Sequence, residues 1–435
     1  MQRVVSRAQY FRQLIRGEYF APAKLTAFRA PLVRSFSTST MSQPHGGAAK
    51  PAAPLTAVVT SDKDPRAEFI NGPEYANYFC EYAKLYHQKQ MLEDKPRMDA
   101  YYAAIMKNKE CFKGKVVLDM GSGTGILAMW AAKAGASKVY AVEATPMARK
   151  ARMLVEANGL SDIVEVIEAK IEEVELSGQV DIIVSEWMGY ALLREAMLDS
   201  VIWARDKWLR PGGSLFPSHA CIGWGALLYD GDQQNQVAGY ENTLAEWTTF
   251  KKGLKEEYGI SMDVLDKAYR TEHREYYLEN AHYSNLRSSD VIGSNDETVE
   301  YDLLTVSIDE LSKIRSKFSF EIEAGSANFV ALGCWFKTMF RGSPQNPCSQ
   351  EVVLDTSPLF PETHWGQQVL PLMRPVSVWR GDVVECETFI DRQKDNQRML
   401  VLHFQLKVVP GPTKQDLEGN DRRVIELGHH KYNVL

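Results

Sequence analysis

The stretch "KVVLDMGSGTGILAMWAAKAGASKVYAVEA" at residues 115–144 decides the fold. A β-branched apolar segment leads through a glycine-rich turn into an alanine-rich segment and then into a second β-branched segment. This pattern predicts a strand, a turn, a helix and a strand. Two more β-branched runs, "VEVIEAK" and "VDIIVSE", follow with helical patterns between them. Alternating strands and helices predict a parallel, doubly wound sheet of the Rossmann-like class.

The spacing of the glycines indicates which ligand the turn would accept. The turn contains Gly121, Gly123 and Gly125, which allow a tight bend and a close approach by a ligand. A dinucleotide-binding turn has its third glycine one position later, where this chain has Ile126. The pattern therefore favours S-adenosylmethionine, which has no pyrophosphate, over NAD. An ordinary strand–helix turn is the alternative interpretation.

Two carboxylates flank this turn in the sequence. Asp119 ends the first strand, and Glu143 closes the next strand, where a carboxylate can accept hydrogen bonds from two ribose hydroxyls. A solvated surface charge is the alternative for a glutamate at a strand end. Together with the turn, the two acids favour a ligand that carries a nucleoside.

A second pair of acids lies in "SEWMGYALLREAM", residues 185–197, directly after a strand that reads as buried on both faces. Glu186 and Glu195 are nine positions apart. Two carboxylates can hold a planar guanidinium by paired, charge-assisted hydrogen bonds. They would draw its positive charge towards the bound nitrogens and leave the remaining nitrogen able to attack a methyl group. Two unrelated surface acids are the alternative.

These segments resemble the protein arginine methyltransferases. The likeness is carried by the glycine-rich stretch, the two-glutamate segment, "ETHW" at 362–365 and "YFCEYAKLYHQKQMLEDKPRMDAYYAAI" at 78–105. It runs from about residue 70 to the C-terminus and looks closest to the plant branch of the family. The resemblance implies transfer of methyl groups from S-adenosylmethionine to arginine in proteins. Gly189 and the intact "THW" match the type I members, which give mono- and asymmetric dimethylarginine.

The resemblance also implies a role for each matching residue. The catalytic group would be Glu186 and Glu195, which clamp the substrate guanidinium, with His364 paired to Asp94. The methyl donor would contact Gln88, Arg97, Asp119, Gly121, Gly123, Glu143 and Glu172. The substrate pocket would be walled by Met188, Met197 and Trp365.

Three of these donor contacts carry a specific expectation. Arg97 would pair with the carboxylate of the donor, Glu143 would hold the ribose, and Glu172 would accept from the adenine amino group. Gln88 departs from the family pattern, because many members have a histidine there and this chain has His87 one position earlier.

The second half of the chain has a different pattern. Residues 217–435 contain short alternating segments separated by turn residues, which predict an antiparallel sandwich or barrel. The resemblance implies a β-barrel that packs on the cofactor domain at residues 69–216. One stretch, at about 230–265, interrupts the β pattern and carries an apolar helical stripe of Leu244, Trp247, Phe250, Leu254 and Tyr258.

The stripe predicts an arm that docks on a second copy of the chain in a homodimer. A projecting helix would not leave such a patch in water without a partner surface. A helix folded back on its own barrel is the alternative.

The first forty residues contain six Arg and one Lys against a single acid, and they end in a hydroxyl cluster. This composition is typical of an organellar transit peptide. We therefore expect residues 1–40 to direct import into mitochondria or plastids. A basic disordered tail is the alternative, and a start at Met41 would favour the nucleus or cytoplasm. Residues 41–68 read as a disordered linker.

Composition limits the remaining classes of function. The net charge of −6 argues against a nucleic-acid-binding protein. The six cysteines have no C-x-x-C spacing, so we expect neither a metal site nor disulfides. No apolar run reaches the roughly 18 residues of a spanning helix, and we expect no membrane association. The expected partners are arginine-containing proteins, such as Gly/Arg-rich proteins or histones.

Three other functions agree less well with the sequence than arginine methylation does. An NAD-dependent dehydrogenase is disfavoured by Ile126. A small-molecule methyltransferase has no need of the two glutamates together with "THW". A catalytically inactive scaffold would be expected to have lost one of the two carboxylates, and both are present.

Overall fold

The computed structural model describes residues 58–59, 79–229, 233–411 and 423–434. These residues belong to one compact unit, Pro54–Leu435. The segment predicted as a transit peptide lies outside the described residues, as does most of the segment predicted as a linker. Within that linker, strand β1 (Val58–Val59) pairs antiparallel with β5 (Val174–Glu175), so the chain is anchored at this point.

The first half of the chain forms the predicted parallel sheet. Its strands are β2 (Val116–Met120), β3 (Lys138–Glu143), β4 (Val164–Glu168), β6 (Val180–Val184) and β7 (Leu209–Phe216). Their order across the sheet is β4-β3-β2-β6-β7, and all four pairings are parallel. Every residue of β6 is buried, as expected of a strand covered by helices on both faces.

Helices cover and connect these strands. They are α1 (Leu85–Glu93), α2 (Lys95–Met106), α3 (Lys109–Phe112), α4 (Ile126–Lys133), α5 (Met147–Ala157) and α6 (Met197–Trp208). Helix α4 is rich in alanine, and Ala128, Ala131 and Ala132 are buried. Small side chains on this face let the helix pack closely on the sheet.

The strand order places the crevice where a ligand can bind. From β2 the chain proceeds to β3 on one side, and it later returns to β6 on the other side. Such a reversal opens a crevice outside the carboxyl ends of the strands. Asp119 of β2, Glu143 of β3 and Glu186, two residues beyond β6, all lie at these ends.

The second half forms two antiparallel sheets, which together are called the barrel below. The larger sheet contains β8 (His219–Leu227), β9 (His282–Ser284), β10 (Val291–Asp302), β12 (Ser326–Ser343), β13 (Asn346–Asp355) and β14 (Gln367–Trp379). The smaller sheet contains β11 (Lys313–Glu321), β15 (Val383–Arg392), β16 (Leu400–Val409) and β17 (Ile425–Val434). A short helix, α9 (Ile308–Ser312), precedes β11. One apolar core runs from the parallel sheet into both of these sheets.

The predicted arm is a helical hairpin rather than a single helix. It consists of α7 (Gln233–Tyr258) and α8 (Asp266–Leu278), so the helical segment continues past residue 265. Trp247 stacks on Tyr269 of α8 at 4.1 Å between ring centroids, and its indole N–H donates to Asp266 at 2.8 Å. The expectation that Trp247 faces a partner is therefore wrong, because the side chain packs inside the hairpin.

Other apolar side chains of the arm remain on its surface. Phe250 is 51% exposed, Tyr258 70% and Val264 88%. Within the described residues, no helix is long and apolar enough to cross a lipid bilayer.

The two halves are joined by a buried amide. Asn108, between α2 and α3, is 2% exposed. Its side-chain amide donates to the carbonyls of Ala104 at 3.0 Å and of Gln350 in β13 at 2.9 Å. Its side-chain oxygen accepts from the Gln350 backbone at 2.9 Å and from the Ser349 hydroxyl at 3.1 Å. Asn108 thus fixes α2 and α3 to β13.

Candidate active site

The glycine-rich turn is held by Glu143. One carboxylate oxygen accepts from the Gly123 backbone N–H at 2.9 Å, and the other accepts from the Thr145 N–H at 2.8 Å. A carboxylate oxygen can accept more than one hydrogen bond, so Glu143 keeps acceptor capacity for a ligand. Burial raises the pKa of Glu143, and the bonds from Thr145 and Gly123 partly oppose this rise.

Two polar atoms beside the turn have no protein partner among the described residues. They are Asp119 Oδ1 and Ser122 Oγ, both buried. The other oxygen of Asp119 accepts from the Ala128 N–H at 2.9 Å. Burial raises the pKa of Asp119 to about 7, and the charge of Glu143 adds to this rise. Buried polar atoms are normally hydrogen-bonded, so these two atoms fit a polar ligand over the turn.

Two side chains lie over the glycines of the turn. A Cβ at Gly121 would be 2.1 Å from Met197 Cε, and a Cβ at Gly123 would be 2.7 Å from Gln88 Oε1. Gln88 is buried and donates to the Tyr82 carbonyl at 3.0 Å. The neighbouring His87 pairs instead with Glu81 at 2.9 Å. Gln88, not His87, therefore occupies the position facing the turn.

Glu186 is paired with Arg97. Its Oε2 accepts from Arg97 Nε at 3.0 Å and lies 2.9 Å from Nη2, and both side chains are about one-tenth exposed. Arg97 Nη1 donates to the Met91 carbonyl at 3.0 Å. The sequence assigned Arg97 to the donor carboxylate and did not predict this ion pair. The ion pair holds Arg97 beside Glu186 and fixes the orientation of one of the Glu186 carboxylate oxygens.

Glu195 is held by groups from other elements. Its Oε2 accepts from the Tyr82 hydroxyl at 2.9 Å, and its Oε1 accepts from Arg194 Nη1 at 3.2 Å. Its backbone has φ of 82°, in the left-handed region, and Ala196 follows at 53°. A non-glycine residue in this region costs roughly 1 kcal/mol or more. The surroundings must therefore stabilise this conformation.

His364 and Asp94 form the predicted pair. His364 Nδ1 lies 2.6 Å from Asp94 Oδ2, and the His364 backbone N–H donates to the same oxygen at 2.8 Å. Asp94 also caps helix α2 by accepting from the Arg97 N–H at 3.1 Å. Burial favours the protonated acid, but the bonds from His364 outweigh it and keep the pKa of Asp94 below its usual value. Asp94 thus connects α2 to the barrel.

The remaining predicted residues have different positions. The buried Trp365 donates from its indole to the Met188 carbonyl at 2.9 Å, so it braces the glutamate loop. The Met188 sulfur is 3.6 Å from the Tyr101 hydroxyl. Glu172 accepts from the hydroxyl of Ser200, in helix α6, at 2.7 Å.

Several residues that contact this site were not predicted from the sequence. The hydroxyl of Tyr101 donates to the Ser185 carbonyl at 2.9 Å, beside Glu186. Tyr82 binds Glu195, and Arg398 binds the backbone of Glu195. The aromatic residues of the segment at 78–105 were a usable signal for the two tyrosines. No local pattern distinguishes Arg398.

Comparison with known proteins identifies the family. Residues 117–213 match a family model described as a methyltransferase domain, and residues 234–409 match one described as the arginine methyltransferase oligomerization subdomain. Protein arginine N-methyltransferase PRMT10 of Oryza sativa subsp. japonica is 48% identical over 343 residues, covering 79% of this chain and 90% of the relative. The chain belongs to the protein arginine N-methyltransferase family. The predicted similarity to its plant branch is thereby confirmed.

Further relatives agree with this assignment to the arginine methyltransferases. PRMT10 of Arabidopsis thaliana is 42% identical, covering 82% of this chain and 94% of the relative. The crystal structure of Arabidopsis protein arginine methyltransferase 10, described as a uniquely open conformation, matches with a TM-score of 0.76 at 39% identity, covering 82% of this chain and all of that one. The Trypanosoma brucei PRMT1 enzyme-prozyme complex with AdoHcy matches with a TM-score of 0.65 at 28% identity, covering 82% and 100%.

The family also fits the architecture. A Rossmann-like parallel sheet followed by antiparallel sheets is the predicted arrangement, and the structure confirms it. Within the described part of the chain, no group of three or more His, Cys, Asp or Glu residues could hold a metal ion.

Proposed function

We propose that the protein transfers methyl groups from S-adenosylmethionine to arginine side chains of protein substrates. The observation that carries this proposal is the position of the two glutamates. Glu186 and Glu195 follow β6 at the carboxyl edge of the sheet. Hydrogen bonds through Tyr82 connect Glu195 with Gln88, whose side chain lies over Gly123. Hydrogen bonds through Arg97 and Asp94 connect Glu186 with His364.

The residues around the turn fit the donor. Glu143 has acceptor capacity for two hydroxyls, and the unpartnered oxygens of Asp119 and Ser122 can bind polar groups. Gly121 and Gly123 present bare backbone, and the two side chains over them, Met197 and Gln88, are flexible enough to make room. When bound, S-adenosylmethionine supplies a methyl group on a positively charged sulfur.

The two carboxylates would orient the substrate. A guanidinium is a poor nucleophile because its lone pairs are delocalised, and it stays charged at any working pH. Glu186 offers an oxygen that does not bind Arg97, and Glu195 offers a carboxylate fixed by Tyr82 and Arg194. Hydrogen bonds to both would concentrate positive charge on the bound nitrogens and leave the third nitrogen free to attack the methyl carbon. As the nitrogen–carbon bond forms, the electron pair of the carbon–sulfur bond would stay with sulfur, and the nitrogen would release one proton to solvent. Positioning and electrostatics then supply most of the rate enhancement.

His364 would complete the substrate site. Its hydrogen bond to the ionised Asp94 orients the imidazole, and its tilted contact with the Trp365 ring, at 4.0 Å between ring centroids, limits its rotation. Since Asp94 also caps α2, the helix that carries Arg97, a displacement of His364 would be transmitted to the Arg97–Glu186 pair.

We infer mono- and asymmetric dimethylarginine as products, because "EWMGY" and "THW" match the type I members. Gly189 supports this less directly than its sequence position suggests. A Cβ there would lie 1.9 Å from the Arg194 carbonyl oxygen, and the Gly189 N–H donates to the Leu192 carbonyl at 2.9 Å. Glycine is therefore required by the turn itself, apart from any effect on pocket volume.

The deciding experiment is mass spectrometry of Gly/Arg-rich peptides and histone tails incubated with the protein and S-adenosylmethionine. We expect monomethyl and asymmetric dimethylarginine on at least one peptide class. Exclusively symmetric dimethylarginine would overturn the product type. No methylation of any arginine substrate would overturn the activity.

We also infer a homodimer formed through the arm. The model matched by residues 234–409 describes an oligomerization subdomain, and Phe250, Tyr258 and Val264 leave an apolar surface on the hairpin. Val264→Asp with Phe250→Ala should give a monomer by light scattering. Trp247→Ala is a poor test, because it would loosen the hairpin internally. A dimer that survives the double substitution would contradict the assignment of the arm.

For localisation, we propose that residues 1–40 direct import into mitochondria or plastids. Their arginine-rich, acid-poor composition supports this proposal. Fluorescent-protein fusions with and without residues 1–40 would test it. The same nucleocytosolic distribution of both fusions would refute it.

A further inference from the structure

The loop after β6 has an unusual backbone. Four non-glycine residues in it have positive φ: Ala191, Leu192, Glu195 and Ala196. Such angles persist only where the surrounding structure imposes them. Glu195 is the one of the four that the proposed function places in contact with substrate. What imposes its conformation therefore bears directly on catalysis.

A single barrel residue binds both backbone polar groups of Glu195. The Glu195 N–H donates to the Arg398 carbonyl at 2.7 Å, and Arg398 Nη1 donates to the Glu195 carbonyl at 2.8 Å. Arg398 lies between β15 and β16, in the other half of the molecule. Its guanidinium carbon is also 5.9 Å from the ring centroid of Phe79, next to the cofactor-covering helices. One side chain thus joins the barrel, the glutamate loop and the N-terminal segment.

The turn that carries Arg398 is itself well supported. The Arg398 N–H donates to the Asn396 side chain at 3.1 Å, and the Gln393 N–H donates to the Met399 carbonyl at 3.0 Å. At the end of β15, Arg392 Nη2 pairs with Asp199 Oδ1 at 2.6 Å, one turn of α6 beyond the loop. The β15–β16 hairpin therefore holds the chain at Glu195 and again at Asp199, just beyond the last left-handed residue.

We propose that Arg398 is a positioning residue for methyl transfer. It holds Glu195 in the left-handed conformation that directs its carboxylate at the substrate guanidinium. It does so through the backbone and without touching the substrate. The inference rests on the proposed function and adds to it, because it makes the geometry of the second carboxylate depend on the barrel.

The chemistry of arginine suits this role. A planar guanidinium can donate from one nitrogen to a carbonyl while its face lies against an aromatic ring. A lysine at the same position could reach the carbonyl with a point charge but would not stack on Phe79 in the same way. We therefore expect partial function from lysine and little from alanine.

The test uses the full chain with Arg398→Ala and Arg398→Lys. We expect Arg398→Ala to lower kcat by about 10- to 100-fold, since small misplacements of catalytic groups have effects of this order. The Kd for S-adenosylmethionine, measured by calorimetry, should stay within about 2-fold, because Glu195, whose backbone Arg398 binds, is not assigned to the donor. Arg398→Lys should retain several-fold more activity than the alanine variant.

A second substitution separates positioning from general stability. Ala196→Gly, added to Arg398→Ala, should recover several-fold in kcat, because glycine adopts positive φ without strain. A merely structural role of Arg398 would lower the melting temperature but leave kcat unchanged at a temperature where the variants are fully folded. The matched control is Arg315→Ala on the same sheet. Arg315 also bonds a carbonyl and lies over an aromatic ring, but its partners there are Ile314 and Phe389, and it pairs in addition with Asp391.

The outcomes distinguish this inference from the proposed function. A wild-type protein that methylates arginine while Arg398→Ala stays within 2-fold in kcat would overturn the positioning role alone. A wild-type protein inactive on every arginine substrate would overturn the proposed function and this inference with it. If Arg398→Ala does not fold, Arg398→Lys with and without Ala196→Gly gives the same comparison.

Discussion

Two loops at neighbouring strand ends adopt the same backbone region by different means. The turn after β2 reaches positive φ with glycines, at Gly121, Gly123 and Gly125. The loop after β6 reaches it with alanine, leucine and glutamate. Glycine takes this conformation without steric cost, whereas the other residues need outside support. The backbone of the glycine-rich turn is therefore free of steric strain, whereas the glutamate loop depends on contacts from the barrel to keep its conformation.

The largest effect is expected at the glutamate loop. Glu195→Gln should lower kcat on the order of 1,000-fold, since a preorganised electrostatic contact to the reacting group is lost. The Kd for S-adenosylmethionine should stay within about 2-fold of wild type, because Glu195 does not bind Arg97. Glu186→Gln should reduce kcat by a similar factor. Turnover within a few-fold of wild type in either variant would show that the substituted glutamate does not orient the substrate guanidinium.

A pH effect is expected at Asp119, which ends β2 just before the glycines. An unfolded Asp ionises near pH 4, whereas burial raises the pKa of Asp119 in the folded protein to about 7. Between these values the folded state binds more protons, so the free energy of unfolding falls as pH rises from about 4 to about 7. The total change is at most about 4 kcal/mol.

Asp119→Asn isolates this contribution. Urea unfolding of both proteins at pH 5 and pH 7.5 should show a smaller loss of stability with rising pH in the Asn variant. Titrating groups that do not interact with Asp119 contribute equally to both proteins and cancel in the difference, which leaves Asp119 together with its coupling to Glu143. Equal slopes for wild type and Asn variant would contradict a protonated Asp119 in the folded state.

Gly121→Ala should weaken donor binding by roughly 10-fold and destabilise the fold by about 1 kcal/mol. Its φ is +71°, and the added Cβ would displace Met197. Gly114→Ala is the matched control, because Gly114 has φ of +72° and nothing within 4 Å of an added Cβ. Calorimetric titration with S-adenosylmethionine and thermal unfolding would compare them. Equal donor affinity in the two variants would show that the ligand does not approach Gly121.

The smallest effect is expected when alanine is replaced by glycine in the loop after β6. Ala196→Gly in the wild-type background should raise the free energy of unfolding by about 0.5–1 kcal/mol, because glycine removes the strain at φ of 53°. Ala196 is also the N-cap of α6, a position where glycine is preferred over alanine. Denaturant unfolding measures this change. A loss of stability would show that the loop is not strained at this residue.

The difference between the loops also explains what the sequence could predict. Strand alternation, the glycine turn and Glu143 lie within 30 residues of one another, so local patterns predicted the parallel sheet and the turn. The glutamates could be identified, but their partners could not. Arg97 and Glu186 are 89 residues apart, and Arg398 and Glu195 are 203 apart. Contacts over such separations depend on how the two halves pack.

The arm shows the same limit in another form. A helical period identifies an apolar stripe but not the surface that covers it. The stripe with Trp247 predicted a partner molecule, and the structure covers that residue with α8 of the same hairpin. The apolar residues that remain exposed include Phe250, which belongs to the predicted stripe, and Val264, which does not.

The buried Asn108 has a consequence for protein engineering. Its hydrogen bonds to Ser349 and Gln350 couple the N-terminal half to one barrel strand by an amide that is almost inaccessible to water. A chimaera that takes its barrel from a relative keeps these partners only if the strand holds the same backbone position at residue 350 and a hydroxyl at residue 349. A mismatch there would leave buried polar groups unpaired, at about 1–3 kcal/mol each. Grafts should therefore transfer residues 108, 349 and 350 as one unit.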